Sequence, residues 1–158
     1  MTPSQIFEHA PIGAIIAWSD GAPRPPGRFK NKLSAWERRN NQGRLVRKET
    51  MRILGNHTSP PSFTVHEGDI GTRDVVVVRV LRAFSIDSDL TFTILQWPPP
   101  GSVRIFDKPG EHAELIHLAA DRKEADAWLR THRYPQAVLD EVLHETTTAT
   151  GESEGRVA

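Results

Sequence analysis

Residues 75–95 read VVVVRVLRAFSIDSDLTFTIL, and this stretch decides the fold class. Two runs rich in β-branched residues, Val75–Leu81 and Leu90–Leu95, flank a Ser-Ile-Asp-Ser-Asp segment of turn-forming composition. Extended runs on both sides of a short turn predict a β-hairpin. Farther along the chain, Val103–Phe106 and Glu114–Leu118 flank the segment DKPGEH, which predicts a second hairpin. The middle of the chain is therefore predicted to form antiparallel β-structure.

Helical patterns lie on both sides of these strands. An aromatic-leucine-aromatic pattern at helical spacing predicts a helix over residues 28–40, between strands predicted at Gly13–Trp18 and from Leu45. In the last third, Asp121 is a suitable N-cap for one helix, and a second helix is predicted over residues 135–145. The sequence thus predicts an α+β fold. It would have a mostly antiparallel sheet of about five to seven strands, one helix in the N-terminal half and two C-terminal helices.

The composition bounds the class of protein. With 158 residues, the chain is predicted to form a single α+β domain over residues 1–145. Residues 146–158 contain no aromatic and few apolar side chains, which predicts a disordered tail. The chain has no cysteine, which excludes a disulfide scaffold, a thiolate nucleophile and a cysteine-based zinc site.

The N-terminal region lacks the marks of membrane targeting. Its apolar run, Ile12–Trp18, is too short to span a bilayer, and no lysine or arginine precedes it. We therefore expect a cytoplasmic protein that has no membrane partner.

Basic and acidic residues are unevenly distributed, although the formal net charge is zero. Residues 24–52 contain ten basic and two acidic residues, a net charge of +8. Residues 111–154 contain four basic and ten acidic residues, a net charge of −6. This division bears on the choice of partner rather than on the fold.

The basic segment predicts a nucleic-acid interface. Phe29, Leu33 and Trp36 share one face of a helical wheel, and we expect that face to pack inward. The long cationic side chains would then point to solvent, where each phosphate that they neutralise releases counterions. Three alternatives stay open: the cations are merely solvated, they pair with the acidic C-terminal helices of the same chain, or they bind an acidic protein partner. The predicted contacts to DNA or RNA are Arg28, Lys32, Arg38, Arg39, Arg44, Arg47 and Lys48.

Two other functions are compatible with the sequence. Trp97 precedes three prolines and is predicted to be exposed, so a protein-interaction or inhibitor module can use it, or the acidic helices, as its contact. A small enzyme can instead use His66 with Glu67 or Asp69 as a general acid and base. The chain has no HExxH, P-loop, GxGxxG or GxSxG motif, so we assign no metal, no cofactor and no catalytic residue, and we favour a protein without enzymatic activity.

Three segments resemble small uncharacterised proteins encoded on bacterial mobile and conjugative elements. They are GAIIAWSDGAPRPPGRFKNKLSAWERRNNQGRLVRKE from position 13, SFTVHEGDIG from position 62 and SDLTFTIL from position 88. The resemblance covers most of residues 10–145, and it implies a role in element maintenance, DNA handling or counter-defence. No functional residues carry over from it. With the basic segment, it leads us to expect a binding protein whose first candidate partner is nucleic acid.

Overall fold

The computed structural model describes residues 1–143, apart from the side chain of Val77. The tail predicted over residues 146–158 and the end of the domain predicted at residue 145 lie outside the described residues. The described chain is an α+β fold with mostly antiparallel sheets, which confirms the predicted fold class. Its helices are α1 Pro3–His9, α2 Lys30–Arg39 and α3 Arg122–Thr131. Its strands are β1 Ile15–Ser19, β2 Asn41–Glu49, β3 Arg52–Leu54, β4 His57–Ser59, β5 Ser62–Gly71, β6 Val76–Ser85, β7 Thr91–Gln96, β8 Val103–Phe106, β9 Leu115–Ala119 and β10 Val138–Glu141.

Five strands form the larger sheet, in the order β6-β5-β2-β1-β7, and each neighbouring pair is antiparallel. The hairpin that we predicted from residues 75–95 is therefore wrong in its pairing, because β6 and β7 lie at opposite edges of the sheet. After the turn, β7 pairs with β1, with Trp18 opposite Phe92. The turn composition identified a change of direction correctly, but it carried no information about the partner strand.

The main core lies on the inner face of this sheet. Aromatic and aliphatic side chains from all five strands meet there, and α1 covers them with Ile6. A capping box begins α1: the Thr2 side chain accepts a hydrogen bond from the Gln5 amide, and the Gln5 side chain accepts one from the Thr2 amide. Pro3 occupies the first turn, where its missing amide costs nothing. These signals are local, and our sequence prediction missed this helix.

A second core lies between α3 and a small sheet of order β10-β8-β9. The pairing of β8 with β9 confirms the second predicted hairpin. Asp121 caps α3 as predicted, since its side chain accepts a hydrogen bond from the Glu124 amide. The helix predicted over residues 135–145 is wrong, because Val138–Glu141 pairs with β8 as a strand. A short apolar run is compatible with a helix or with a strand, and here it forms a strand because it pairs with the edge of β8.

Helix α2 ends where it was predicted, but it does not pack as expected. None of its residues is buried, and Phe29 at its N-cap is 41% exposed. Indole hydrogen bonds hold the helix in place: Trp36 Nε1 donates to the carbonyl of Ala22, and Trp18 Nε1 donates to the carbonyl of Arg38. The predicted inward face is therefore only half-buried. None of the described helices is long and apolar enough to cross a membrane.

Candidate nucleic-acid interface and adjoining cleft

The exposed side of α2 carries cations around an aromatic ring. The guanidinium carbon of Arg28 lies 4.9 Å from the centre of the Phe29 ring, and the Nζ atom of Lys32 lies 5.1 Å from it. Arg38 is exposed farther along the helix, and none of the ion pairs formed within residues 1–143 includes Arg28, Lys32 or Arg38. We define the α2 surface as Arg28, Phe29, Lys30, Lys32 and Arg38.

Arg39 differs from its neighbours because two carboxylates already neutralise it. Its Nε atom lies 3.1 Å from Oδ2 of Asp20, and its Nη2 atom lies 2.9 Å from Oδ2 of Asp89. Hydrogen bonds to Asp89 and then to Asp20 raise the pKa of Arg39. In turn, the Ala22 amide and the Asn40 side chain hold the pKa of Asp20 below its ordinary value. Arg39 thus ties α2 to two loops and has little charge left for a phosphate.

The three predicted contacts on β2 also differ in their burial and in the groups that they contact. Arg47 lies 3.3 Å from Glu49 through its Nε atom. Lys48 is half-buried, which lowers its pKa, and its Nζ atom lies 5.9 Å from the centre of the Phe7 ring. Arg44 donates a 2.6 Å hydrogen bond to the carbonyl of Gly13. Of the seven predicted cations, Arg39 and Arg47 are therefore paired with carboxylates, and Arg44 and Lys48 are half-buried.

The acidic residues near the C-terminal end have other partners. Glu124 lies 3.3 Å from His117, Asp126 lies 3.4 Å from Arg122, and Asp140 lies 2.9 Å from Arg104. Within residues 1–143, no ion pair joins an acid of α3 or β10 to a cation of α2. The alternative in which these acids neutralise the basic helix finds no support in the described chain.

A cleft of about 680 Å³ opens between the outer face of the larger sheet and the β9–α3 unit. We call this the cleft. The sheet supplies polar side chains to one wall, and the opposite wall carries rings from β9, α3 and the segment after α3. The polar wall includes Arg44, His66, Asp69 and Arg79, and the ring wall includes His117, Trp128, His132 and Tyr134.

Two of the three residues in the predicted acid-base cluster meet in the cleft. The Nε2 atom of His66 lies 2.6 Å from Oδ1 of Asp69, and both residues line the cavity. A β-bulge in β5 between His66 and Gly68 sets this geometry. Glu67 is not part of the pair, because its carboxylate lies 3.1 Å from Nε of Arg82. Of the two predicted combinations, His66 with Asp69 therefore meets in the cleft, and His66 with Glu67 does not. The His66–Asp69 pair can orient an imidazole for proton transfer.

Arg44 is an exception among the half-buried arginines. Five arginines in residues 1–143 are half-buried, and four of them lie within ion-pair distance of a carboxylate. Arg44 has none, and its one protein acceptor in the described chain is the Gly13 carbonyl. Burial lowers its pKa accordingly. The four paired arginines are Arg47 with Glu49, Arg79 with Glu114, Arg82 with Glu67 and Arg104 with Asp140.

The ring wall is a stack of parallel aromatic groups. The Trp128 ring lies 3.9 Å from that of His132 and 4.9 Å from that of His117, at interplanar angles of 6° and 7°. Tyr134 lies parallel to Trp128 at 5.8 Å. The imidazole of His132 is fixed by a 2.9 Å contact between its Nδ1 atom and the Trp128 carbonyl. We did not predict this group, although the four-residue spacing of Trp128 and His132 is typical of side chains that lie close together at a helix.

The remaining predictions concern metals and Trp97. Among the described residues, no group of three or more His, Cys, Asp or Glu side chains is arranged to hold a metal ion. Trp97 directly follows β7 and is 56% exposed, as predicted.

Together, the fold and these surfaces define an α+β protein with a five-stranded antiparallel sheet, a peripheral basic helix and a cleft beside the sheet. The chain belongs to the family described as uncharacterised conserved protein UCP036055, whose model matches residues 1–146. No curated protein and no solved structure matches the chain.

Proposed function

We propose that this protein binds single-stranded DNA or RNA through the α2 surface and that it acts by binding rather than by catalysis. The observation that carries the proposal is the arrangement around Phe29: an exposed ring with the cations of Arg28 and Lys32 about 5 Å from its centre. These cations have no carboxylate partner within residues 1–143, so their charge is available to phosphate.

Two physical terms favour a single strand. Each phosphate that binds a lysine or arginine releases condensed counterions, which gives affinity with little sequence preference. An exposed ring adds stacking on an unpaired base, worth about 1–3 kcal/mol per base. A double helix keeps its bases stacked on each other, so it would engage the cations but not Phe29. The α2 surface therefore suits single strands better than duplexes.

The resemblance to small proteins of bacterial mobile and conjugative elements supports the same proposal. The resemblance implies a role in DNA handling, and such a role can use a surface with low sequence preference. In this proposal the protein is a cytoplasmic accessory factor. Arg39, Arg44, Arg47 and Lys48 contribute less than the sequence suggested, because they are paired or half-buried.

A charge-reversal experiment tests the proposal. At low salt, the full chain should bind a labelled single-stranded oligonucleotide of about 20 residues in a mobility-shift titration. The triple variant Arg28→Glu, Lys32→Glu and Arg38→Glu should weaken that binding by at least about tenfold. Circular dichroism should show that the variant remains folded, because all three side chains are exposed.

A matched control separates the α2 surface from overall charge. Lys108, Lys123 and Arg133 are also exposed, and changing each to Glu alters the net charge of the chain by the same amount. This control variant should keep at least half of the affinity. The proposal fails if the wild-type chain binds neither DNA nor RNA at low salt, or if both triple variants lose binding equally.

A further inference from the structure

We infer that the cleft is a second binding site, independent of the α2 surface, for a small molecule that joins a phosphate to a flat ring, as a nucleotide does. Arg44 and His66 would hold the phosphate. The ring wall would receive the base.

Arg44 is the reason for placing the phosphate group of the ligand in the cleft. A half-buried cation without a counter-ion is unfavourable, and the other four half-buried arginines of the described chain avoid this cost with a carboxylate. Arg44 leaves its Nε and Nη2 donors without protein acceptors in the same residues, since only Nη1 bonds to the Gly13 carbonyl. A phosphate in the cleft would satisfy both donors, and the planar guanidinium fits two phosphate oxygens at once.

His66 reinforces this assignment. Arg44 and His66 are directly paired across β2 and β5, so their side chains start from adjacent positions on the same face. The carboxylate of Asp69 is engaged by His66 at 2.6 Å, and it is not within ion-pair distance of Arg44. The Nδ1 atom of His66 has no hydrogen-bond partner within residues 1–143, so it remains available to a phosphate group.

The opposite wall of the cleft supplies the surface that would bind the flat ring of the ligand. Three rings lie parallel to Trp128 along this wall, and one of them, Tyr134, is 38% exposed and can accept another flat ring. Val75 and Val76 also line the cleft, and because both are more than half exposed, they add apolar surface to it. The volume of about 680 Å³ lies within the usual range of small-molecule sites, about 300–1,000 Å³.

The test uses adenosine monophosphate and inorganic phosphate as probes of the full chain, with isothermal titration calorimetry. Adenosine monophosphate should bind saturably, and inorganic phosphate should bind more weakly. Arg44→Gln should reduce the affinity for both by at least about tenfold, the usual loss when a charged hydrogen bond is removed. Tyr134→Ala should reduce nucleotide affinity and leave phosphate affinity unchanged.

Controls distinguish this site from other sources of affinity. Arg47→Gln removes an arginine from the same strand outside the cleft and should leave both affinities unchanged. The α2 triple variant should bind adenosine monophosphate as the wild type does, so this inference and the nucleic-acid proposal can fail separately. In the wild-type chain, the imidazole NMR signals of His66 and His132 should shift on titration. Absence of nucleotide binding, full affinity in Arg44→Gln, or binding that leaves these signals unmoved would overturn the inference.

Discussion

The ring centres of Phe84 and Phe92 lie 5.2 Å apart in an edge-to-face contact, although their strands form opposite edges of the five-stranded sheet. This contact requires the sheet to curl until its two edges approach each other across the core. Phe63, from a central strand, contacts both rings at 5.7 and 5.3 Å. The aromatic cluster thus closes the inner face of the sheet and leaves the outer face to form the cleft.

Removing one buried ring of this cluster should destabilise the protein strongly. Phe92 is fully buried, so Phe92→Ala should lower the free energy of unfolding by about 3–5 kcal/mol. Phe29→Ala is the matched control, because it removes the same atoms from a side chain that is 41% exposed, and it should change stability by less than about 0.5 kcal/mol. Urea denaturation measures both. Similar losses in the two variants would contradict the proposed core.

The approach of β2 to β5 depends on a glycine. A Cβ atom at Gly43 would lie 2.8 Å from the backbone oxygen of His66, so Gly43→Ala should force the strands apart. We expect a loss of about 1–3 kcal/mol in the free energy of unfolding. Gly68→Ala, on β5, meets no atom within 4 Å and should be nearly neutral. A Gly43→Ala variant as stable as Gly68→Ala would show that this contact is looser than described.

Sequence patterns predicted what local periodicity determines. Phe29, Leu33 and Trp36 located α2, and Asp121 with Glu124 located the start of α3. Strand pairing depends on contacts between distant segments, so the composition of residues 75–95 could not show that β7 pairs with β1. Pattern alone also could not show that α2 packs only weakly.

The two candidate sites also differ in how far the sequence could predict them. Arg28, Lys32 and Arg38 lie within eleven residues of sequence and were predicted together, whereas Lys30 was not among the predicted contacts. The cleft gathers Arg44, His66, Trp128 and Tyr134 from β2, β5, α3 and the segment after α3. No spacing rule links such residues. The missing carboxylate beside Arg44 is likewise a property of the folded chain, since Glu49 lies only five residues away in the sequence but pairs with Arg47.

Acid should weaken the contact between α2 and the β1–α2 connection. The pKa of Asp20 is lower in the folded chain than its ordinary value of 3.8, chiefly through the Ala22 amide and then the Asn40 side chain. A lowered carboxyl pKa stabilises the fold fully above the unfolded-state value, and this stabilisation is lost as pH falls through the folded-state value. The stability difference between wild type and Asp20→Asn should therefore shrink as pH is lowered from 6 towards 3. Denaturation midpoints measured across that range check this. A difference that stays constant over the range would show that the Asp20 charge does not contribute.

Stacking and charge should contribute separately to nucleic-acid binding. Phe29→Ala should weaken single-strand binding by about 1–3 kcal/mol, and Phe29→Trp should preserve it, because any flat ring can stack on a base. Neither change should alter the salt dependence, since no charge is lost. Fluorescence anisotropy at two salt concentrations measures both quantities. If Phe29→Ala binds as tightly as wild type, the ring is not part of the interface.

The most direct measurement is the slope of the logarithm of the association constant against the logarithm of salt concentration, for one single-stranded oligonucleotide. Four α2 cations engaging phosphate predict a slope of about −3, and the variant Arg28→Gln, Lys32→Gln and Arg38→Gln, which keeps Lys30, should show about −1. A wild-type affinity that does not depend on salt, or an equally steep slope in the glutamine variant, would contradict binding through α2.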